Sequence, residues 1–297
     1  MKNILITGGS GFIGNHLTKL LEGKGNSVSW LTRKQNPKVK IKQYLWDYSK
    51  RKIEYDCFKN VDAVIHLSGA SINGKRWDRK YKQEIYDSRV KSTEFLFESI
   101  SSIPNKIKSF TSASATGYYP IAFSEKIFSE TDLHGKYFLG QTCYDWEKAA
   151  IKHSELNIRT TIIRTGIVLT KDSEAFRKMS LPIRLGLGSA IGSGKQFFPW
   201  IHLDDLCEIY CKSISDESMY GIYNSVAPEY ITNKQFVKAV ANYYNKSLWL
   251  PRIPSFIIKI VFGELADSIL LGNKISSEKI IASGFSFKYR TLETFLD

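Results

Sequence analysis

The chain has 297 residues, 43% hydrophobic and 24% charged, with a formal net charge of +13. That length suits one large domain, or a large domain with a small companion, and the composition excludes disordered, collagen-like and coiled-coil classes. The lysines are spread without a dense block or an RNA-binding signature. A lysine-rich proteome, or attraction of small anions, accounts for the charge at less cost than a nucleic-acid surface, which stays a minor reading. The start, MKNILITGG, lacks the features of a signal peptide, and the apolar stretch IPSFIIKIVFG is too short to span a bilayer, so a cytoplasmic protein with no membrane segment is expected. Cys57, Cys143, Cys207 and Cys211 form no C-x-x-C pair and the five histidines are scattered. Buried reduced thiols and no metal site are therefore expected.

The first element is a strand. Ile4, Leu5 and Ile6 form the short apolar run of a buried parallel strand. Gly8, Gly11 and Gly14 follow, and then Leu17, Leu20 and Leu21 recur with helical period. Strand, glycine turn and helix in that order form a dinucleotide-binding unit. Gly8 allows the sharp turn, Gly11 lets backbone amides approach a pyrophosphate, and Gly14 lets the helix pack closely.

The second strand, SVSWLTRK, ends in Thr32, Arg33 and Lys34, where a dinucleotide fold that takes NAD usually places an acid for the ribose 2′-hydroxyl. An arginine there suits a 2′-phosphate, so the expected cofactor is NADP. Asp47, after the third strand, is either an acceptor for the adenine amine or a plain loop acid.

VDAVIHLSGA (61–70), IKSFTSASATGYYP (107–120) and IRTTIIRTGIVL (158–169) read as further strands alternating with helical stretches. This is the pattern of an α/β fold with a doubly wound parallel sheet.

These segments, with FPWIHLDDL (198–206), resemble the extended short-chain dehydrogenase/reductase superfamily of Rossmann type. RWDRKYKQEIYDSRVKST (76–93), SASATGYYP (112–120), DWEKAA (145–150), the stretch 181–206 and the tail GFSFKYRTLETFLD resemble one subgroup of it, the atypical "epimerase family". That subgroup carries a small C-terminal domain of unknown function. The resemblance implies that Ser10, Phe12 and Ile13 lie in the phosphate turn, Thr32 and Arg33 at the 2′-phosphate, and Leu67 and Ser68 beside the adenosine ribose. It further implies that Gly69 and Ala70 allow close approach of the backbone, that Glu84 and Arg89 line the cofactor cleft, and that Val168 lies near the nicotinamide.

Reductases of this superfamily use a tyrosine to move the oxygen-bound proton, a lysine whose charge favours the tyrosinate, and a serine that hydrogen-bonds the substrate oxygen. Ser114, Tyr144 and Lys148 fit that triad, with Tyr144 and Lys148 at the literal Y-x-x-x-K spacing. The subgroup's own mark on this helix is the pair Trp146–Glu147. A register shifted by one places Cys143 and Glu147 on the tyrosine and lysine positions, and both registers remain open at this point.

GLGSAIGSGKQ (186–196) fails as a P-loop: the spacing is one residue too long and Gln196 stands where Ser or Thr would bind magnesium. It reads as a loop on the substrate side, in which Lys195 or Arg184 either binds an anion or faces solvent. His202, Asp204 and Asp205 are assigned a structural role. The nucleotide domain is expected over 1–170 with 198–226, and a small, mainly helical substrate-side domain over 175–197 and 227–297. Within the latter, Thr232 is expected to cap a helix. The resulting expectation is an oxidoreductase or epimerase using NADP on a small carbonyl or hydroxyl substrate, with a homodimer as a possible assembly. The alternative is a non-catalytic NADP(H)-binding regulator.

Overall fold

The computed structural model describes residues 1–121 and 125–297. Eight strands form the main sheet: β1 (Asn3–Thr7), β2 (Ser27–Thr32), β3 (Lys42–Asp47), β4 (Lys52–Ile53), β5 (Ala63–His66), β6 (Ser109–Ala115), β7 (Arg159–Thr165) and β8 (Gly221–Ser225). Their spatial order is β8-β7-β6-β5-β1-β2-β3-β4. Pairing is parallel for β1–β2, β1–β5, β2–β3 and β5–β6, with Ile4 opposite Val28 on one side and Ala63 on the other. This is the doubly wound parallel sheet expected from the sequence. The two-residue β4, antiparallel to β3, has too little apolar pattern to be read from sequence.

Helices α1 (Phe12–Gly23), α2 (Arg79–Asp87), α3 (Val90–Ser101) and α4 (Phe138–Ile151) supply crossovers. Chain order reverses at β1, whose neighbours are β2 and β5. In such sheets ligands bind beyond the carboxyl ends of the strands at that switch point, which here is Thr7–Gly8.

The molecule divides into two compact units. The first comprises 1–114, 141–164 and 207–223, and the second 115–140, 165–206 and 224–297. Of the residues expected in the nucleotide domain, 115–140, 165–170, 198–206 and 224–226 fall in the second unit. The cause is visible in its contacts: Ile127–Phe128 pairs with Lys274–Ile275, and Tyr119 donates to Asn224 Oδ1 at 2.6 Å.

Leu5, Val64, Phe110 and Ile162 from the sheet pack with Leu96 and Ile100 of α3 in the core of the first unit. In the second, Trp200 and Phe236 pack with Phe176 and Phe295. Phe198, two residues before Trp200, packs against this core. Thr232 caps the helix Asn233–Tyr243 through a capping box with Gln235. Asp205 accepts from the backbone amides of Lys288 and Tyr289 at 2.8 and 2.9 Å, a structural role for that acid. All four cysteines are buried, and none is in a disulfide. Among the described residues no helix is long and apolar enough to cross a membrane, and no group of His, Cys, Asp and Glu is arranged to hold a metal.

Two histidines lie in the core of the first unit. Burial, with a smaller contribution from nearby His153, pushes His66 down to about 3, and burial pushes His153 down to about 4. His153 stacks on Phe110 at 3.6 Å between centroids. On acidification the unfolded chain takes up these protons first, near pH 6.5. The stability linked to neutral histidine is therefore complete above about 6.5 and is lost as pH falls toward 4. Each histidine is expected to cost about 1.4 kcal/mol per pH unit in that window. Urea midpoints measured at pH 7 and pH 5 check this, and His153→Phe should shrink the difference.

Candidate functional site

The turn after β1 is built on close backbone approach. Gly8 has φ +72°, a conformation in which side chains are strained, and a Cβ there would lie 3.0 Å from the Leu67 carbonyl group. A Cβ on Gly14 would lie 2.4 Å from Gly8 O and 2.7 Å from Gly9 Cα, so α1 starts against the turn itself. Gly11 N donates to Gly8 O at 3.0 Å. Gly11 is the N-cap of α1 and, among the described residues, makes no side-chain cap, the kind of helix start that suits an anion. Ser10 and Phe12 are exposed, and Ile13 is half-buried.

Thr32 closes β2, and its hydroxyl donates to Lys34 O at 3.0 Å. Arg33 follows, exposed, with no hydrogen bond or ion pair among the described residues. Asp47 is occupied locally: its Oδ1 accepts from Ser49 N at 3.0 Å, Ser49 Oγ at 2.6 Å and Lys50 N at 3.2 Å. The Ser49 hydroxyl bond is the main cause of its lowered pKa.

The loop after β5 is held by Arg89, which the sequence marked, and by Thr7, His66 and Ser88, which it did not. Thr7 Oγ1 accepts from Leu67 N and Ser68 N at 3.2 and 3.3 Å. Its own proton then goes to His66 Nδ1 at 2.7 Å, which leaves Nε2–H to donate to Ser92 Oγ at 3.3 Å. Neutral His66 thus ties the ends of β1 and β5 to α3. Arg89 donates to Ala70 O and Ile85 O, each at 3.1 Å, and sits 5.5 Å from the centroid of the Trp146 ring. Gly69 lies against its guanidinium, and Ala70 N accepts the support of Ser88 by donating to its Oγ at 2.9 Å. Arg89 therefore acts as a strut under the loop. Burial lowers its pKa. Glu84 is exposed on α2. Val168 is half-buried in the second unit, in the strand Ile167–Leu169, opposite Ile201.

At the end of β6, Ser114 Oγ donates to Glu147 Oε1 at 2.6 Å. Arg164, on β7, donates from Nε to Oε1 and from Nη2 to Oε2, both at 2.8 Å. Ser114, Glu147 and Arg164 are 4%, 4% and 1% exposed. This buried network went unmarked in the sequence, although Trp146–Glu147 was the available signal. Tyr144 is half-buried and Lys148 exposed, with the ammonium 5.4 Å from the Tyr144 ring centroid. The structure brings Ser114 to Glu147 and Lys148 to the face of Tyr144. Cys143, one turn before Glu147, is buried and lies within electrostatic range of Arg89.

Residues 4–224 match the model of the NAD dependent epimerase/dehydratase family. The chain belongs to that family. Residues 253–297 match a domain of unknown function, DUF1731. The family member is 33% identical, over its whole length and 98% of the relative, to an epimerase family protein of Staphylococcus aureus (strain MRSA252). It is similar to the crystal structure of human epimerase family protein SDR39U1 with NADPH, with a TM-score of 0.86 and 30% identity, covering 99% of this chain and 97% of that one. It is also similar to a nucleoside-diphosphate sugar epimerase from Corynebacterium glutamicum, with a TM-score of 0.80 and 27% identity, covering 99% of this chain and 58% of that one. The subgroup resemblance read from the sequence is therefore correct, and binding of a nicotinamide dinucleotide follows from the family and its glycine turn.

Proposed function

We propose that the chain is an NADP(H)-dependent oxidoreductase or epimerase acting on a small carbonyl or hydroxyl compound, with Tyr144 as acid/base. The observation that carries the choice of NADP is Arg33, exposed and uncommitted at the end of β2 where an acid would favour NAD. The NADPH in the human relative's structure supports the same choice. Gly8, Ser10, Gly11, Phe12, Ile13 and Gly14 cradle the pyrophosphate, Thr32 and Arg33 take the 2′-phosphate, and the loop from Leu67 to Ala70 borders the ribose. The cofactor supplies or takes the hydride. Tyr144 moves the proton at the reacting oxygen, with the Lys148 ammonium 5.4 Å from its ring centroid.

Turnover of NADPH against a panel of small carbonyl compounds tests this reading. Tyr144→Phe is expected to lower kcat by about 10²–10⁴-fold, the usual worth of a positioned acid/base, while NADPH binding is retained. A second reading, a non-catalytic NADP(H)-binding regulator, is favoured by the commitment of the Ser114 hydroxyl to Glu147. It requires tight NADPH binding without turnover and no effect of Tyr144→Phe.

A further inference from the structure

Exposed apolar side chains scattered singly are normal on a protein surface, but a contiguous group of them marks a site of contact. Nearly half of the exposed large apolar side chains among the described residues fall in two stretches of the second unit, 181–187 and 248–262. Leu185, Leu187, Trp249, Phe256, Ile260 and Val261 are each more than half exposed. The helix Ser255–Phe262 is apolar almost all round, and Ile258 is its one buried residue. The two stretches form one face. Trp249 Nε1 donates to Gly186 O at 3.0 Å, Ser189 Oγ donates to Pro251 O at 2.6 Å, and Ile253 N donates to Ala190 O at 2.9 Å.

The charge around this face has a single sign. Segments 175–195 and 244–263 carry seven Lys and Arg, all exposed, and no Asp or Glu. A second copy of the chain would set those cations against themselves, which opposes pairing through this face. A negatively charged surface with an apolar layer just beneath it complements both features. We infer that this face docks on the anionic surface of a lipid bilayer, with Trp249 and the helix Ser255–Phe262 set at the level of the headgroups. Eight residues of helix are about 12 Å long, so the helix lies in the plane of the interface and does not span it.

The test is flotation of the purified chain with vesicles of phosphatidylcholine and phosphatidylglycerol in equal parts, against vesicles of phosphatidylcholine alone. The wild type is expected to bind the anionic vesicles at least about tenfold more tightly, since one basic side chain near such a surface is worth about fivefold. Trp249 supplies a second readout. The other five tryptophans are buried, so quenching by lipids brominated in their acyl chains reports on Trp249. Ile260→Glu with Val261→Glu should abolish flotation and quenching while thermal unfolding and NADPH titration stay as in wild type. Arg252→Gln with Lys259→Gln should weaken binding to anionic vesicles by about 10–30-fold, and it carries the test if the first variant is unstable. No flotation of wild type, flotation without quenching, or flotation unchanged in the variants would each overturn the inference. So would a dimer in sedimentation equilibrium that Ile260→Glu with Val261→Glu dissolves, which would assign the face to a second copy. None of these outcomes bears on the cofactor assignment.

Discussion

Glu147→Ala is expected to destabilise the first unit by about 3–5 kcal/mol, the usual cost of leaving one half of a buried ion pair uncompensated. Arg164 is 1% exposed, and both oxygens of Glu147 serve its guanidinium. Alanine would also strip the Ser114 hydroxyl of its acceptor at 2.6 Å. The measurement is the urea midpoint followed by tryptophan fluorescence, in which Trp146, adjacent in sequence and buried, reports on the same helix. Replacing both partners, with Glu147→Leu and Arg164→Met, should lie closer to wild type than Glu147→Ala, because no buried charge is then left alone. A single substitution within about 0.5 kcal/mol of wild type, the range of ordinary surface changes, would mean that the pair is not buried as described.

Gly14→Ala is expected to weaken NADPH binding by about 10–100-fold and to lower stability by about 1–3 kcal/mol, the cost typical of overpacking. The atoms that a methyl group would meet are Gly8 O at 2.4 Å and Gly9 Cα at 2.7 Å. These are backbone, so relief requires moving the turn that presents amides to the pyrophosphate, not swinging a side chain aside. Nicotinamide fluorescence titration alongside thermal unfolding separates the two effects. Binding like that of wild type would show that the turn tolerates the shift.

What the sequence made legible was local. β1, the glycine turn and α1 occupy consecutive residues, and each glycine has a reason that depends on its immediate neighbours. The position of Arg33 was legible for the same reason, since it directly follows β2. Elements that depend on which strands lie side by side were not legible. Thr7, His66 and Ser92 are separated by 59 and 26 residues, and only the β1–β5 pairing and α3 bring them together. Glu147 and Arg164 lie on α4 and β7, and nothing in their sequence neighbourhood announces an ion pair.

The helix bearing Tyr144 shows the limit most plainly. Residues 143 and 147 share one stripe of a helix and 144 and 148 the next, about 100° round. Spacing alone satisfies either register, and the sheet decides which stripe it meets. Ser114 bonds Glu147, one residue from the lysine of the literal motif. The stretch 116–140 shows the same limit: it follows β6 directly in sequence, yet its partners include Asn224 and Lys274–Ile275.

The central claim is that Arg33 makes this a protein for NADP(H). Its most direct test is titration of the purified chain with NADPH and NADH, following nicotinamide fluorescence, with Arg33→Ala in parallel. The account predicts that NADPH binds about 10–100-fold more tightly than NADH and that the preference is lost in Arg33→Ala, the worth of one charge-assisted contact to the 2′-phosphate. Equal affinities in wild type, or a preference unchanged in Arg33→Ala, would contradict it.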